Sequence, residues 1–456
     1  MPFRTQRSSF TVVILQIYLE LIQINFDSHP IDPTFAPIHN DNHVLTMIAR
    51  SFAIGFLALG IFSCSDDEEG PVTEPYPIPD TYTFTRDGQS TVSFSGQTQR
   101  IGMATELVDA MKDFDGTTET RLIEMYRNEA EGGNADPFSE AALNESSKSV
   151  REKVAASADY FSANVTEGTA IKNQFEDWLS RQVTEVFANE EVAAAPGTAG
   201  QLADGTSVRY VNAQGLEYNQ LVAKGLIGAL MVDQMLNNYL SPVVLDEGDS
   251  REENSAGVTV EDETYTFMEH KWDEAYGYAY GAAADPTQPN QTIGDDDSFL
   301  NEYIGQVDRD PDFAGVADNI FNALKAGRAA IVAQDYEARD REAAVVQENV
   351  SRVVAVRAVY YLQQARDALG RDTPAYGSAF HALSEAYGFI YSLRFTRQPG
   401  TESPYLSASE VDGFLNTLLN DGANGLWDVT PETLDTLSEA IAGRFGFTVA
   451  QTDKNE

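Results

Sequence analysis

Beyond residue 101, apolar side chains recur every three or four positions along most of the chain, and the strict alternation of half-buried strands is scarce. The spacing predicts helices over 101–114, 117–127, 137–144, 147–163, 166–188, 212–240, 267–283, 298–307, 313–333, 336–369, 375–396, 407–419 and 431–445. Breaker pairs punctuate them: Gly132-Gly133, Pro196-Gly197, Asp285-Pro286, Asp310-Pro311 and Pro399-Gly400. One stretch has strand periodicity instead. Thr81-Tyr-Thr-Phe-Thr and Thr91-Val-Ser-Phe-Ser alternate polar and apolar residues around Asp87-Gly88, a dipeptide that tolerates the positive φ of a tight hairpin turn. The predicted fold class is all-α with a short N-terminal β-hairpin over 81–98.

The front of the chain carries a different pattern. Met47-Ile-Ala-Arg50 precedes an apolar run from Ser51 to Phe62 that ends at Ser63-Cys64. A basic residue, about a dozen apolar residues and a small residue before the cleavage point make a secretory signal, whereas a bilayer span needs about 20 apolar residues. Residues 47–63 are expected to be a lipoprotein signal peptide and Cys64, the only cysteine, its lipidation site. A thioether-linked lipid uses up that thiol, so no disulfide is expected. Residues 1–46 are then expected to be an upstream start called too early, since nothing should precede the basic region. Within them Thr11 to Phe26 is interrupted by Glu20 and is too short and polar to span. Residues 64–80 read as an acidic, proline-rich tether, with Pro71, Pro75, Pro77 and Pro79 favouring extended backbone. Ser65-Asp-Asp-Glu-Glu resembles the acidic tetrad that directs Bacteroidota lipoproteins to the outer face of the outer membrane. The expected location is the outer membrane, anchored through Cys64 and facing the cell surface or the periplasm.

Charge narrows the partners. With 71 acidic against 30 basic residues the net charge is −41, and such a surface repels phosphate backbones, so nucleic acid is excluded as a ligand. Asp246 to Glu263 and Asp295-Asp296-Asp297 lack the ligand spacing of a calcium-binding EF-hand and are expected to be solvated loops.

Candidate chemistry comes from an internal repeat. Met268-Glu-His270-Lys-Trp-Asp-Glu274-Ala-Tyr-Gly-Tyr-Ala-Tyr-Gly281 matches Ala379-Phe-His381-Ala-Leu-Ser-Glu385-Ala-Tyr-Gly-Phe-Ile-Tyr-Ser392. The shared core is His-x-x-x-Glu-Ala-Tyr-Gly. Duplication explains it, giving a duplicated helical bundle with halves over 99–283 and 297–456, packed as one domain. Each helical residue turns about 100°, so His, Glu at i+4, Gly at i+7 and the small residue at i+11 share one stripe within about 60°. Tyr276 and Tyr387, at i+6, lie about 120° away and are expected in the core. His270, Glu274, His381 and Glu385 are candidate metal ligands, as facing helices of di-iron bundles contribute carboxylates and imidazoles. The competing reading makes each His–Glu pair a buried bond that locks a helix to its neighbour. Lys224, Asp233, Asn237 and Arg357 interrupt apolar helices and need partners, and a bond from Lys224 or Arg357 to a motif glutamate would take that carboxylate out of play. Glu217, Glu348 and Arg394 read as surface or packing residues.

The zinc helix His-Glu-x-x-His, the nucleophile elbow and the phosphate loop are missing from the sequence, so no catalytic residue is assigned. From Cys64 through Tyr210-Val-Asn-Ala-Gln-Gly-Leu-Glu-Tyr-Asn219 and both repeats to Gly425-Leu-Trp-Asp-Val-Thr-Pro431, the chain resembles the Bacteroidota lipoprotein family called domain of unknown function 4856. Those proteins are similar in style to imelysin-like proteins, duplicated helical bundles linked to iron uptake that bear a Gly-x-His-x-x-Glu motif. This chain departs from that motif: Met268 or Ala379 stands where the glycine would be, the shared glutamate is at i+4, and Asp273 at i+3 is Ser384 in the second copy. The resemblance implies a non-enzymatic envelope binding protein, with iron or another divalent metal as cofactor or cargo and a TonB-dependent transporter as partner. A glycan-binding lipoprotein is the alternative, and it would need an exposed aromatic platform among Trp178, Trp272 and Trp427. A metallopeptidase is the second alternative, and it lacks the three ligands and placed base of catalytic zinc.

Overall fold

Local chemistry fixes where two of the helices begin. Thr266 accepts the N–H of Glu269 while Glu269 reaches back to the Thr266 N–H, a reciprocal cap that starts a helix at Phe267. Ser407 and Glu410 do the same at Ala408. In this computed structural model, which describes residues 76–129 and 136–452, the principal helices are α1 (Ser95–Ala110), α2 (Glu119–Arg127), α3 (Val165–Arg181), α4 (Tyr218–Leu226), α5 (Phe267–Tyr280), α6 (Leu300–Asp308), α7 (Val316–Ala333), α8 (Tyr336–Leu369), α9 (Tyr376–Ser392), α10 (Ala408–Leu419) and α11 (Pro431–Phe445). The expected early start, signal peptide, Cys64 and most of the tether lie outside the described residues, as does the Gly132-Gly133 break. Among the described residues no helix is long and apolar enough to cross a membrane.

The fold is all-α with two small hairpins. In the first, β1 (Thr85–Arg86) and β2 (Gln89–Ser90), Thr85 pairs with Ser90 and Arg86 with Gln89, across a turn in which both Asp87 (φ 52°) and Gly88 (φ 82°) have the positive φ that such turns demand. It is shorter than the 81–98 expected, because Tyr82 is drawn onto another element and α1 already starts at Ser95. A second hairpin, β3 (Gly200–Asp204) with β4 (Ser207–Val211), was not anticipated, although Asp204-Gly205 carries the same turn signal.

The long helix α8 is the packing centre of the C-terminal part, with α7, α9 and α11 laid against it. In turn α9 packs on α4 and on β3, while α5 packs on α1 and α7. Beyond Leu226 the α4 segment continues in π turns, over Ile227–Val232 and Met235–Tyr239, with nearly every side chain buried. The predicted helices 137–144 and 147–163 survive only as single turns at Ala141–Asn144, Val150–Lys153 and Ala158–Phe161. A tertiary contact overrides propensity there: Ala155 takes a positive φ of 45° and donates its N–H to the Ala229 carbonyl, and the buried Asp233 accepts the N–H groups of Ala156 and Ser157.

Candidate functional site

Both repeats fall on helices, α5 and α9, and in both the stripe faces a helix rather than an opening. On α5, a side-chain carbon at Gly277 would sit 2.5 Å from Phe94 Cβ and 2.9 Å from Gln97 Cβ, so only glycine admits α1 that closely. On α9, a carbon at Gly388 would sit 2.5 Å from Lys224 Cβ of α4. One turn on, the Gly281 carbonyl accepts from Thr98, and Ser392 donates to the Lys224 carbonyl while accepting the Gly228 N–H. The small residues are the means by which each motif helix meets its partner helix.

The polar residues of the stripe follow the same plan. His270 Nδ1 donates to the Ser93 carbonyl (3.2 Å), its ring lies on Tyr265 at 4.5 Å, and its Nε2 is 4.0 Å from Glu274. Glu274 accepts from Gln97 (3.1 Å) and Lys271 (2.6 Å). In the second copy His381 Nδ1 faces the Glu217 carboxylate at 3.2 Å, its Nε2 is 3.7 Å from Glu385, and Glu385 is 3.5 Å from Lys224 Nζ. At i+3, Asp273 and Ser384 accept the N–H of Ser93 and Glu217 respectively, so the substitution between the copies preserves a bond to the segment leading into the partner helix.

The two imidazoles differ in proton affinity. Burial pulls His270 below its ordinary range, and the Glu274 charge does not make this good. Burial acts the same way on His381, but the Glu217 hydrogen bond and the charges of Glu217 and Glu385 outweigh it and raise the group. A backbone carbonyl in one copy and a carboxylate in the other make the difference.

The four candidate ligands are thus placed in two pairs with separate partners. Each pair presents one imidazole Nε2 and one carboxylate, and among the described residues no three His, Cys, Asp or Glu side chains converge as a metal site requires. Of the interrupting polar residues, Lys224 is the partner of Glu385, Asp233 accepts from Ser157, and Asn237 donates to the Phe395 carbonyl. Arg357 lies under the rings of Tyr303, Tyr360 and Tyr361. Glu348 pairs with Arg352 in a half-buried helical pair. Sequence reasoning passed over Arg328. It is fully buried on α7 and ties Asp273 (3.0 Å) and Glu269 (3.1 Å) of the first motif, and only its place in an apolar helix hinted at that.

The tyrosines at i+6 part ways. Tyr276 is buried as expected, with Tyr82 stacked flat upon it at 3.6 Å and 14°. Tyr387 is half-buried and packs at the edge of the core, because among the described residues no segment equivalent to Tyr82 covers it. Instead it lines a solvent-open groove of about 520 Å³ with Trp178 and Tyr391. Arg394 lies over the Tyr391 ring and pairs with Asp412 (2.7 Å) at the rim, and Glu167, Gln174 and Asn416 add polar groups. Trp178 and Trp272 are buried and Trp427 half-buried, so the three do not make the exposed tryptophan platform expected of a glycan binder.

A profile of a family described as Domain of unknown function (DUF4856) matches residues 79–448. No curated protein and no solved structure matches the chain.

Proposed function

The chain belongs to the family of that domain of unknown function, and we propose a non-enzymatic binding protein of a Bacteroidota-type cell envelope, anchored to the outer membrane by a lipid on Cys64 and passing ligand to a TonB-dependent transporter. The anchor rests on the signal-like pattern before Cys64 and the acidic residues after it. The binding reading rests on the Trp178–Tyr387–Tyr391 groove. Trp178 and Tyr391 are buried, so the half-buried Tyr387 ring is the aromatic face it offers to the apolar C–H side of a pyranose, and the Arg394–Asp412 pair with Gln174 and Asn416 supplies planar donors and acceptors for a hydroxyl rim. A mono- or disaccharide is therefore the ligand class.

The test is titration of the purified mature chain against a saccharide panel. Binding of at least one sugar, weakened about tenfold by Tyr387→Ala, supports the proposal. A panel with no binder, or a Tyr387→Ala variant of unchanged affinity, rejects it.

A second reading, iron or another divalent metal in the imelysin-like manner, draws on the imidazoles. In both copies an acceptor holds Nδ1 and turns Nε2 towards the motif carboxylate, as in the outer shell of metal-ligating histidines. Metal analysis before and after the double change His270→Ala and His381→Ala decides this, and unchanged metal content rejects these ligands.

A further inference from the structure

Charge in the Tyr387 groove is unevenly shared. Apart from the tyrosines, its ionisable lining consists of Glu167 from the first turn of α3, Asp412 from α10 and Arg394 from the turn after α9. The cation is already paired. Arg394 reaches Asp412 at 2.7 Å through one terminal nitrogen and its guanidinium lies on the Tyr391 ring, which leaves the side chain 9% exposed. Asp412 is exposed with its second oxygen unbonded, and Glu167 is half-buried, bonded to the Asn164 amide and in no ion pair with a described residue. The groove therefore holds one carboxylate more than it can neutralise, in a chain of net charge −41.

Two phenol hydroxyls in the same wall lack partners. Tyr391 is 5% exposed, yet its hydroxyl bonds no described residue and is not closed off from water, and the Tyr387 hydroxyl bonds none either. Buried hydroxyls are nearly always satisfied, so an unbonded one in the wall of an open groove marks a place that a ligand or water completes. Burial raises the Tyr391 phenol; Arg394 opposes that rise while Asp412 and Glu167 add to it, so both carboxylates act on the space around this hydroxyl. A uronic acid would meet the excess negative charge, and a neutral sugar would leave Glu167 without a counter-charge. Resting on the saccharide reading above, we propose that the groove selects a cationic amino sugar of the hexosamine type. The C–H side of its ring lies on Tyr387, its ammonium donates to Glu167 with Asp412 adding to the field, and a ring hydroxyl bonds the Tyr391 hydroxyl.

Calorimetric titration of the purified mature chain compares glucosamine and galactosamine with glucose, galactose, N-acetylglucosamine and glucuronate, and with cyclohexylamine as a cation that lacks hydroxyls. At least one hexosamine should bind about fivefold tighter than its neutral parent, with glucuronate and cyclohexylamine weaker than that hexosamine, and added salt should shrink the preference. Glu167→Gln, checked for folding by circular dichroism, should bring the ratio of hexosamine to hexose affinity towards one, whereas Glu439→Gln, an exposed carboxylate outside the groove, should keep it. The proposal is overturned, with the saccharide reading intact, if hexoses bind in a Tyr387-dependent way and hexosamines bind no tighter. It is also overturned if N-acetylation leaves the affinity unchanged, if cyclohexylamine matches the hexosamines, or if folded Glu167→Gln retains the full preference. When no sugar of any charge binds, both readings fall. Should Glu167→Gln fail to fold, the comparison of glucosamine with glucose and N-acetylglucosamine decides alone.

Discussion

Replacing Arg328 by leucine removes the only cation bonded to Asp273 among the described residues. The guanidinium is fully buried, with Nε 3.0 Å from Asp273 and Nη1 3.1 Å from Glu269, and Thr91 takes a third bond. Glu269 keeps a two-pronged pair with Arg86, both contacts at 3.0 Å, so the variant orphans one carboxylate and not two. Breaking a buried pair from one side costs about 3–5 kcal/mol, and the surviving Arg86 contact places this case at about 3 kcal/mol near pH 8, or a fall of about 5 °C in Tm. The cost depends on pH. Burial already pushes Asp273 up to about 6 against the attraction of Arg328, so the folded protein holds a proton that the unfolded carboxyl has released from about pH 4 upward. Stability from this group therefore declines as pH rises through that window, and without Arg328 the decline continues to higher pH. Near pH 5 the carboxyl is mostly protonated in both proteins and the deficit shrinks. Urea unfolding of both proteins at the two pH values measures it. Arg328→Leu combined with Asp273→Asn should regain part of the loss, because no charge is left stranded while the amide oxygen can still accept from Tyr82 or Ser93. A deficit below about 1 kcal/mol near pH 8, or one that does not narrow near pH 5, refutes the reasoning.

Three further outcomes are expected. Gly388→Val should lower stability by about 1–3 kcal/mol, because even its first carbon would lie 2.5 Å from Lys224 Cβ, and thermal melting checks it. In an NMR titration His381 should titrate above the ordinary histidine range and His270 below it, so the His381 pairing stabilises the fold at low pH and is lost as pH rises through the raised value. Identical titration of the two rings would contradict the assigned partners. Cys64→Ser should move the protein from the membrane fraction to the soluble fraction, and membrane retention would count against the lipid anchor.

Much of the helical frame was legible because its signals are local. The periodicity and caps over 336–369 and 431–445 give the observed spans of α8 and α11, and Pro431 at the first helical position marks the start of the latter. What the sequence hid depends on contacts made far along the chain. Residues 147–163 read as one helix, but Asp233 captures the backbone between two turns of it. The stripe of the repeat was identified as a unit, yet its partners Ser93, Gln97, Glu217 and Lys224 lie more than a hundred residues away. Of these, Lys224 interrupts an apolar helix and so signals a need for a partner such as a motif glutamate, whereas Glu217 has the pattern of an ordinary surface or packing residue. The open groove was illegible for a related reason. The same tyrosine position is fully covered in one copy and half-covered in the other, and the path of Tyr82 makes the difference.

The enclosed π-wound continuation of α4 sets the order in which the molecule can come apart. From Leu221 to Asn237 every residue is buried, and the segment touches α1, α3, α5, α8 and α9. Its amides have no route to deuterium that leaves the rest intact, so they should exchange last, at a rate set by whole-molecule opening, while the loop after α9 gives up its protons early.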